Sequence, residues 1–229
     1  MNRGIIYITW EQTDKLKNAL QRSQKSLDKL GLEYKVFDGS DYGSKCDIFD
    51  MSPFDETIFL DVDTVILEDP SYGFEAASKH GMAIVIAPAC FTTRHWPDIK
   101  TNPKLSHLSD DNIQYNSGVI FFTKSKKTLE LAKSWKYYSN IIAENKHCDP
   151  DSLSIKYSDQ NSLSIACWET GFNPYVLPKN WNYRHFQAHR NSLFGPVKIW
   201  HSYGKVPQWI KKHNKLIKNG GSSWAKPPS

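Results

Sequence analysis

Cysteine is scarce: the 229 residues hold four, at positions 46, 90, 148 and 167, with no Cys-x-x-Cys pair. That spacing argues against structural zinc or a disulfide framework and leaves free buried thiols as the expectation. Long apolar runs are missing too, so no segment reads as a bilayer-spanning helix. Residues 1–10 pass from a short strand-like run straight to Glu11, without the apolar length or cleavage site of a signal peptide. A soluble, cytoplasmic protein is therefore expected. The Gly-x-Gly-x-x-Gly fingerprint is absent after the first strand candidate, which disfavours a dehydrogenase. There is no internal repeat, low-complexity tract or linker before Gly220. Excess charge is small as well. A net charge of +5 suits a polyanion such as a nucleoside diphosphate, and equally nucleic acid or an acidic membrane, so composition does not choose among them.

What is present is material for a core: 39% of residues are hydrophobic and 13% aromatic, enough for one large domain. Residues 4–10 alternate and are β-branched, as in a strand. Leu16, Leu20, Leu27 and Leu30 follow at roughly helical spacing, and Gly31 stands where a glycine would stop the helix. Residues 33–37 read as a second strand. Strand, helix and strand with short connections make a βαβ unit with a right-handed crossover. Further on, residues 45–51 suggest a short helix, 74–80 a helix stopped by Gly81, and 82–89 a buried strand. Residues 90–112 form a long polar loop, of the kind that is usually functional or mobile. A strand over 115–122 opens with a polar trio. Ser125 can cap a helix running to about residue 145, and Ser158 a second one ending before Gly171. Residues 175–177 and 197–200 are the last strands. The domain expected is residues 1–219, with a basic C-terminal helix over about 206–218 and a frayed tail at 220–229.

The most informative stretch is residues 57–67, Thr-Ile-Phe-Leu-Asp-Val-Asp-Thr-Val-Ile-Leu. A run with little charge reads as a buried strand. It leads into two carboxylates at i and i+2, which on a strand point the same way. Asp61 and Asp63 can therefore face one site as the strand leaves the sheet, where open α/β sheets bind ligands. Two unpaired carboxylates there would repel one another and be poorly solvated. A hard cation relieves both problems, and Mg²⁺ or Mn²⁺ keeps positions free for phosphate oxygens. The alternative is a solvated turn whose carboxylates cap backbone groups.

Four more segments align with this pair: Asn116-Ser117-Gly118-Val119, Ser158-Asp159-Gln160-Asn161, residues 177–182 (Leu-Pro-Lys-Asn-Trp-Asn), and residues 199–205 (Ile-Trp-His-Ser-Tyr-Gly-Lys). Their order and spacing over residues 4–209 resemble glycosyltransferase family eight, the glycogenin and lipopolysaccharide galactosyltransferase group. The resemblance implies an α/β GT-A fold: a Rossmann-like, single mixed and mainly parallel sheet flanked by helices. It implies that Asp61, Asp63 and His201 hold Mn²⁺ (or Mg²⁺). The residues agree, since His201 follows a buried strand in a Ser-Tyr-Gly turn. Gly204 and Lys205 match residues that approach phosphate, although the family pattern places its lysine further from the glycine. Lys45 lies near the position of a basic residue that contacts phosphate or sugar; a solvated lysine is the alternative. Asn116 matches a donor-sugar contact, and Asp159 and Gln160 match a pair beside the reacting carbon. As the first residue of a helix, Asp159 would also be favourable for the helix dipole alone. Tyr7 and Thr9, ending the first strand, are candidates for nucleobase contact or for a structural role.

The reaction implied is sugar transfer from a nucleotide diphosphate sugar, a UDP-sugar first, to the hydroxyl of a carbohydrate or lipid-linked acceptor, with retention. Nucleic acid is not an implied partner. Two alternatives compete: a haloacid dehalogenase-type phosphatase, whose signature also carries Asp-x-Asp after a buried strand, and a non-catalytic sugar- or nucleotide-binding domain. In the C-terminal helix, Val206, Trp209, Ile210, His213, Leu216 and Ile217 fall at helical spacing, with Lys211, Lys212, Lys215 and Lys218 between them. Such a helix can pack on the domain, or lie on an anionic membrane near a lipid-linked acceptor.

Overall fold

The computed structural model of the chain describes residues 2–10, 13–28, 30–40, 45–87, 100, 102–143, 159–184, 193 and 195–221. The expectations for Cys90, Cys148, Ser158, much of the 90–112 loop and most of the tail lie outside these residues. β1 (Arg3–Thr9), α1 (Asp14–Leu27) and β2 (Glu33–Asp38) form the βαβ unit, with β1 and β2 parallel. Thr13 caps α1 through its hydroxyl, which accepts from the Leu16 amide. The helix stops at Leu27, earlier than its leucine pattern suggested, and Gly31 takes φ +62° beyond the turn.

A 3₁₀ turn (Lys45–Asp47) and α2 (Ile48–Met51) lead to β3 (Glu56–Leu60), which lies parallel to β1. Then come β4 (Thr64–Ile66), α3 (Ser71–His80), β5 (Met82–Ile86), β6 (Tyr115–Thr123) and α4 (Lys126–Ala143). The chain continues through α5 (Asp159–Glu169), β7 (Tyr175–Leu177), β8 (Ile199–His201) and α6 (Gln208–Lys218). The main sheet has the order β2-β1-β3-β6-β5-β7, with β6 antiparallel to both neighbours and the other pairings parallel. Helix α3 starts three residues before its apolar pattern, because the Asp69 carboxylate accepts from the amide and hydroxyl of Ser71.

Strand residues alternate between two cores. Ile6, Ile8, Phe59, Ile120 and Phe122 face α2, α4 and α5, packing on Phe49, Trp135 and Leu163. Ile5, Tyr7, Ile58, Leu60 and Phe121 face the other way, toward Leu27 of α1 and Phe74 of α3. Burial on both faces explains the near-continuous apolar runs. The run over 57–67 is two strands rather than one. After Leu60 the chain turns, with Thr64 donating to the Asp61 carbonyl from its amide (3.1 Å) and its hydroxyl (2.7 Å). β4 then leaves the main sheet and pairs antiparallel with β8, setting Thr64 opposite His201.

The C-terminal helix packs on this small sheet. Ile210 joins Val65, Tyr183, Val197 and Trp200 in a satellite core. Asn214 seals the contact: its Oδ1 accepts from the Val197 amide (2.8 Å), and its Nδ2 donates to the Val197 carbonyl (2.8 Å) and to Glu68 (3.0 Å). No helix among the described residues is long and apolar enough to cross a membrane. Asn214→Ala leaves both Val197 backbone groups unpaired in a buried site and is expected to cost about 2–3 kcal/mol. Urea unfolding, with the slope unchanged, measures this.

Candidate metal centre and active site

Asp61 and Asp63 sit in the turn between β3 and β4, and β4 carries its partner strand β8 back alongside them. His201, the last residue of β8, is thereby brought to both carboxylates. Its Nε2 lies 3.1 Å from Asp63 Oδ1 and 3.6 Å from Asp61 Oδ2. Ligand atoms of the three residues fall within 4.8 Å of one another. Burial opposes ionisation of the Asp63 carboxyl. The hydrogen bond and charge of His201, with a smaller contribution from Arg184, outweigh it and hold the group below the usual carboxylate range. Two carboxylates and one imidazole are a fitting donor set for Mn²⁺ or Mg²⁺ with positions left for phosphate oxygens. Gly118 of β6 makes room for them. A Cβ there would lie 2.3 Å from His201 Cε1 and 2.8 Å from Asp61 Oδ2, so only glycine lets the strand pass beneath the cluster.

Lys45 is buried and bridges two acids. Its Nζ lies 2.9 Å from Asp61 Oδ1 and 2.5 Å from Asp159 Oδ2. Burial works against its charge, but the Asp159 and Asp61 carboxylates overcome that and raise its pKa above the ordinary lysine value. The solvated-lysine alternative is thus set aside. Asp159, the first residue of α5, also accepts from the Ser117 hydroxyl (3.0 Å). Its carbonyl accepts from Trp135 Nε1 (2.9 Å), fixing the start of the helix. Gln160 is half-buried next to it. The structure therefore joins Lys45, Asp61, Asp63, Asp159 and His201 in one network.

Other candidates fall differently. Thr9 lines a cavity of about 280 Å³ together with Trp10, Leu16, Asp61, Asp63 and Tyr203. Tyr7 does not: it is fully buried on the α1 face, with its hydroxyl 2.8 Å from Ser23. Its nucleobase role is corrected to a structural one, because a strand residue two before Thr9 on this buried edge of the crevice is covered by α1. Asn116 is buried as well. It is 3% exposed, and its Oδ1 accepts from the Gly118 amide and from Asn182 Nδ2. That commits Oδ1 to the protein interior. Gly204 and Lys205 are exposed in the turn after His201, and neither is ion-paired or hydrogen-bonded to the acidic network. A Cβ on Gly204 would meet only Ser202 Oγ, at 3.5 Å, so space does not demand glycine there.

Sequence reasoning missed Trp10, Tyr203, Arg22 and the role of Asn182. Trp10 and Tyr203 are each about half exposed at the cavity. Arg22 of α1 holds the histidine turn, its guanidinium donating to the carbonyls of Ser202 and Tyr203 at 2.8 Å each. Lys15 lies over the Tyr203 ring, 4.1 Å from its centroid. An isolated glycine within a buried strand, Gly118, was the signal that could have pointed to the crowded cluster.

No protein-family model matches the chain, and no curated protein matches it in sequence. Solved structures do. The chain is similar to mouse xyloside xylosyltransferase 1 in its apo form, at 15% identity and a TM-score of 0.55 over 90% of this chain and 100% of that one. It is similar to the galactosyltransferase LgtC in complex with donor and acceptor sugar analogues, at 12% identity and TM-score 0.53 over 94% and 95%. The glycosyltransferase GlyE of Streptococcus pneumoniae TIGR4, apo form, matches at 14% identity and TM-score 0.53, over 91% of this chain and 55% of that one. These likenesses establish the fold: the chain has the GT-A glycosyltransferase fold.

Removing Lys45 leaves two carboxylates facing one another without their shared cation. Lys45→Met is expected to destabilise the metal-free protein by about 3 kcal/mol. Added Mn²⁺ should raise its melting temperature by more than it raises that of the unaltered chain, which differential scanning fluorimetry reads directly.

Proposed function

We propose that the protein is a metal-dependent glycosyltransferase. It moves a sugar from a nucleotide diphosphate sugar, a UDP-sugar first among the candidates, to an acceptor hydroxyl on a carbohydrate or lipid-linked molecule. The observation that carries this reading is the meeting of Asp61, Asp63 and His201 beside a crevice at the end of β1 and β3 in a GT-A fold. Mn²⁺ or Mg²⁺ held by those three residues would supply Lewis-acid stabilisation of the departing diphosphate. Thr9, Trp10 and Tyr203 offer the base and ribose a cavity walled by two aromatic rings. Arg22 and Lys15 steady the Tyr203 side of that cavity. Lys45 supplies positive charge beside the acidic pair and aims Asp159 into the crevice. Gly204 and Lys205 are assigned to the diphosphate from their place in the chain after His201.

Retention follows in this reading from front-face attack. The acceptor oxygen bonds to the anomeric carbon as the bond from that carbon to the diphosphate breaks, and the departing phosphate takes the acceptor's proton. Asp159 Oδ2 is engaged by Lys45 and Ser117, which suits a carboxylate that stabilises charge better than one that attacks carbon. Gln160, next along α5, is assigned to the sugar. The haloacid dehalogenase alternative does not suit a GT-A fold. Residues 1–219 are taken as one catalytic unit. α6 presents Lys211, Lys212, Lys215 and exposed Leu216 outward, a surface suited to peripheral contact with an anionic membrane.

Screening UDP- and GDP-sugars should find Mn²⁺-dependent donor hydrolysis, and Asp63→Ala should lower it by about 100-fold or more. Unchanged turnover in Asp63→Ala, or phosphate release from a simple phosphomonoester without donor hydrolysis, would overturn the proposal. An inverted anomeric centre in the product, read by NMR, would overturn front-face attack alone.

A further inference from the structure

A chain of hydrogen bonds runs beneath the acidic cluster, and its direction can be read from one fixed donor. The Gly118 backbone amide can only donate. The side-chain atom of Asn116 that it meets at 3.0 Å is therefore the carbonyl oxygen Oδ1. That same oxygen lies 2.9 Å from Asn182, so the Asn182 atom facing it is the donor Nδ2. The other end of the Asn182 amide is then Oδ1, an acceptor, and it lies 2.7 Å from His201 Nδ1. Nδ1 must carry a proton to meet it. A proton held on Nδ1 leaves Nε2 as the ring nitrogen turned to Asp61 and Asp63. All four groups are buried: Asn116 at 3%, Asn182 at 3% and His201 at 2% exposure, with Gly118 in the same strand as Asn116. Water does not compete with the series, and the ordinary ambiguity of amide and imidazole orientation is removed by the backbone.

We infer that Asn182 is a positioning residue. Through a relay anchored on Asn116 and the Gly118 amide, it fixes the tautomer and ring plane of His201 so that Nε2 is presented as a metal ligand. An outer hydrogen bond to the second ring nitrogen is the general means by which proteins orient a ligating histidine. The relay here is drawn from three distant parts of the chain. β6 gives Asn116 and Gly118, the turn after the 3₁₀ segment Lys179–Trp181 gives Asn182, and β8 gives the ring. Asn182 lies in the stretch that also pairs Tyr183 with β8, since the Tyr183 carbonyl accepts from the His201 amide at 3.0 Å. Backbone and side chain thus grip the histidine from the same segment.

The inference rests on the metal-centre reading, and the test separates the two. Isothermal titration of the full chain with Mn²⁺ alone, without nucleotide, is the measurement. Asn182→Ala is expected to weaken Mn²⁺ binding by about 10- to 100-fold. Asn116→Leu should fall alongside it. Asn116→Asp retains an oxygen that accepts from both Gly118 and Asn182, so it should stay within about threefold of the unaltered chain. In a His201→Ala background, adding Asn182→Ala should change affinity by less than about twofold, because the group it positions is gone. Equal binding by Asn182→Ala and the unaltered chain would overturn the relay, and so would an undiminished loss in the His201→Ala background. Should Asn182→Ala fail to fold, the Asn116 pair decides: equal losses for Asp and Leu would overturn it. An unaltered chain that takes up no Mn²⁺ would instead overturn the metal centre, and the relay with it.

Discussion

Three carboxylates crowd one crevice, and the rest of the molecule is arranged to tolerate them. Asp61, Asp63 and Asp159 come from a turn and a helix start, and carboxylates so placed repel one another. Lys45 sits between Asp61 and Asp159, and His201 sits against Asp61 and Asp63. Lys45 and the imidazole are themselves buried, and each lies against two of the carboxylates. The balance is mutual, and it is held by rigid elements. β3 and β6 fix the floor, α4 fixes Asp159 through Trp135, and the β4–β8 pair fixes the imidazole.

Much of this could be read from residue order. The apolar runs of β1, β3, β5 and β6 are legible because strands buried on both faces need little polar relief. The acidic pair is legible because it interrupts such a run. Helix α4 was legible from Ser125, whose hydroxyl accepts from the Thr128 amide while its own amide donates to Thr128 Oγ1. The site called for a different kind of information. Tyr7 and Thr9 lie on the same face of β1, so alternation cannot say which one α1 covers. Nothing local marks Asn116 as an inward-facing anchor, since a polar residue opening a strand looks the same whether it meets ligand or another asparagine. The split of residues 57–67 into two strands depends on β8, a partner far along the sequence. Family resemblance placed Asp61, Asp63 and His201 correctly in one cluster, but it did not supply the hydrogen bonds that orient them.

The first βαβ unit has a second task beyond its share of the sheet. α1 reaches across to the turn that follows β8 through Arg22 and Lys15. The Ser202 amide donates to the Asp63 carbonyl at 2.9 Å, binding the same turn to the acidic loop. The cavity wall is therefore built from both ends of the described chain. Of its aromatic members, Tyr203 is held through its backbone carbonyl and by the Lys15 ammonium over its ring, and Trp10 packs against Gly39.

The pairing of β4 with β8 also sets an order of events in biosynthesis. A nascent polypeptide displays its acidic turn long before residue 201 leaves the ribosome. Until then the two aspartates lack their imidazole, and β4 has an unpaired edge. Closure of that small sheet and assembly of the Asp61, Asp63 and His201 cluster are thus one step, which waits for β8. A ribosome that stalls before β8 would release a chain with all six strands of the main sheet and no Asp61, Asp63 and His201 cluster.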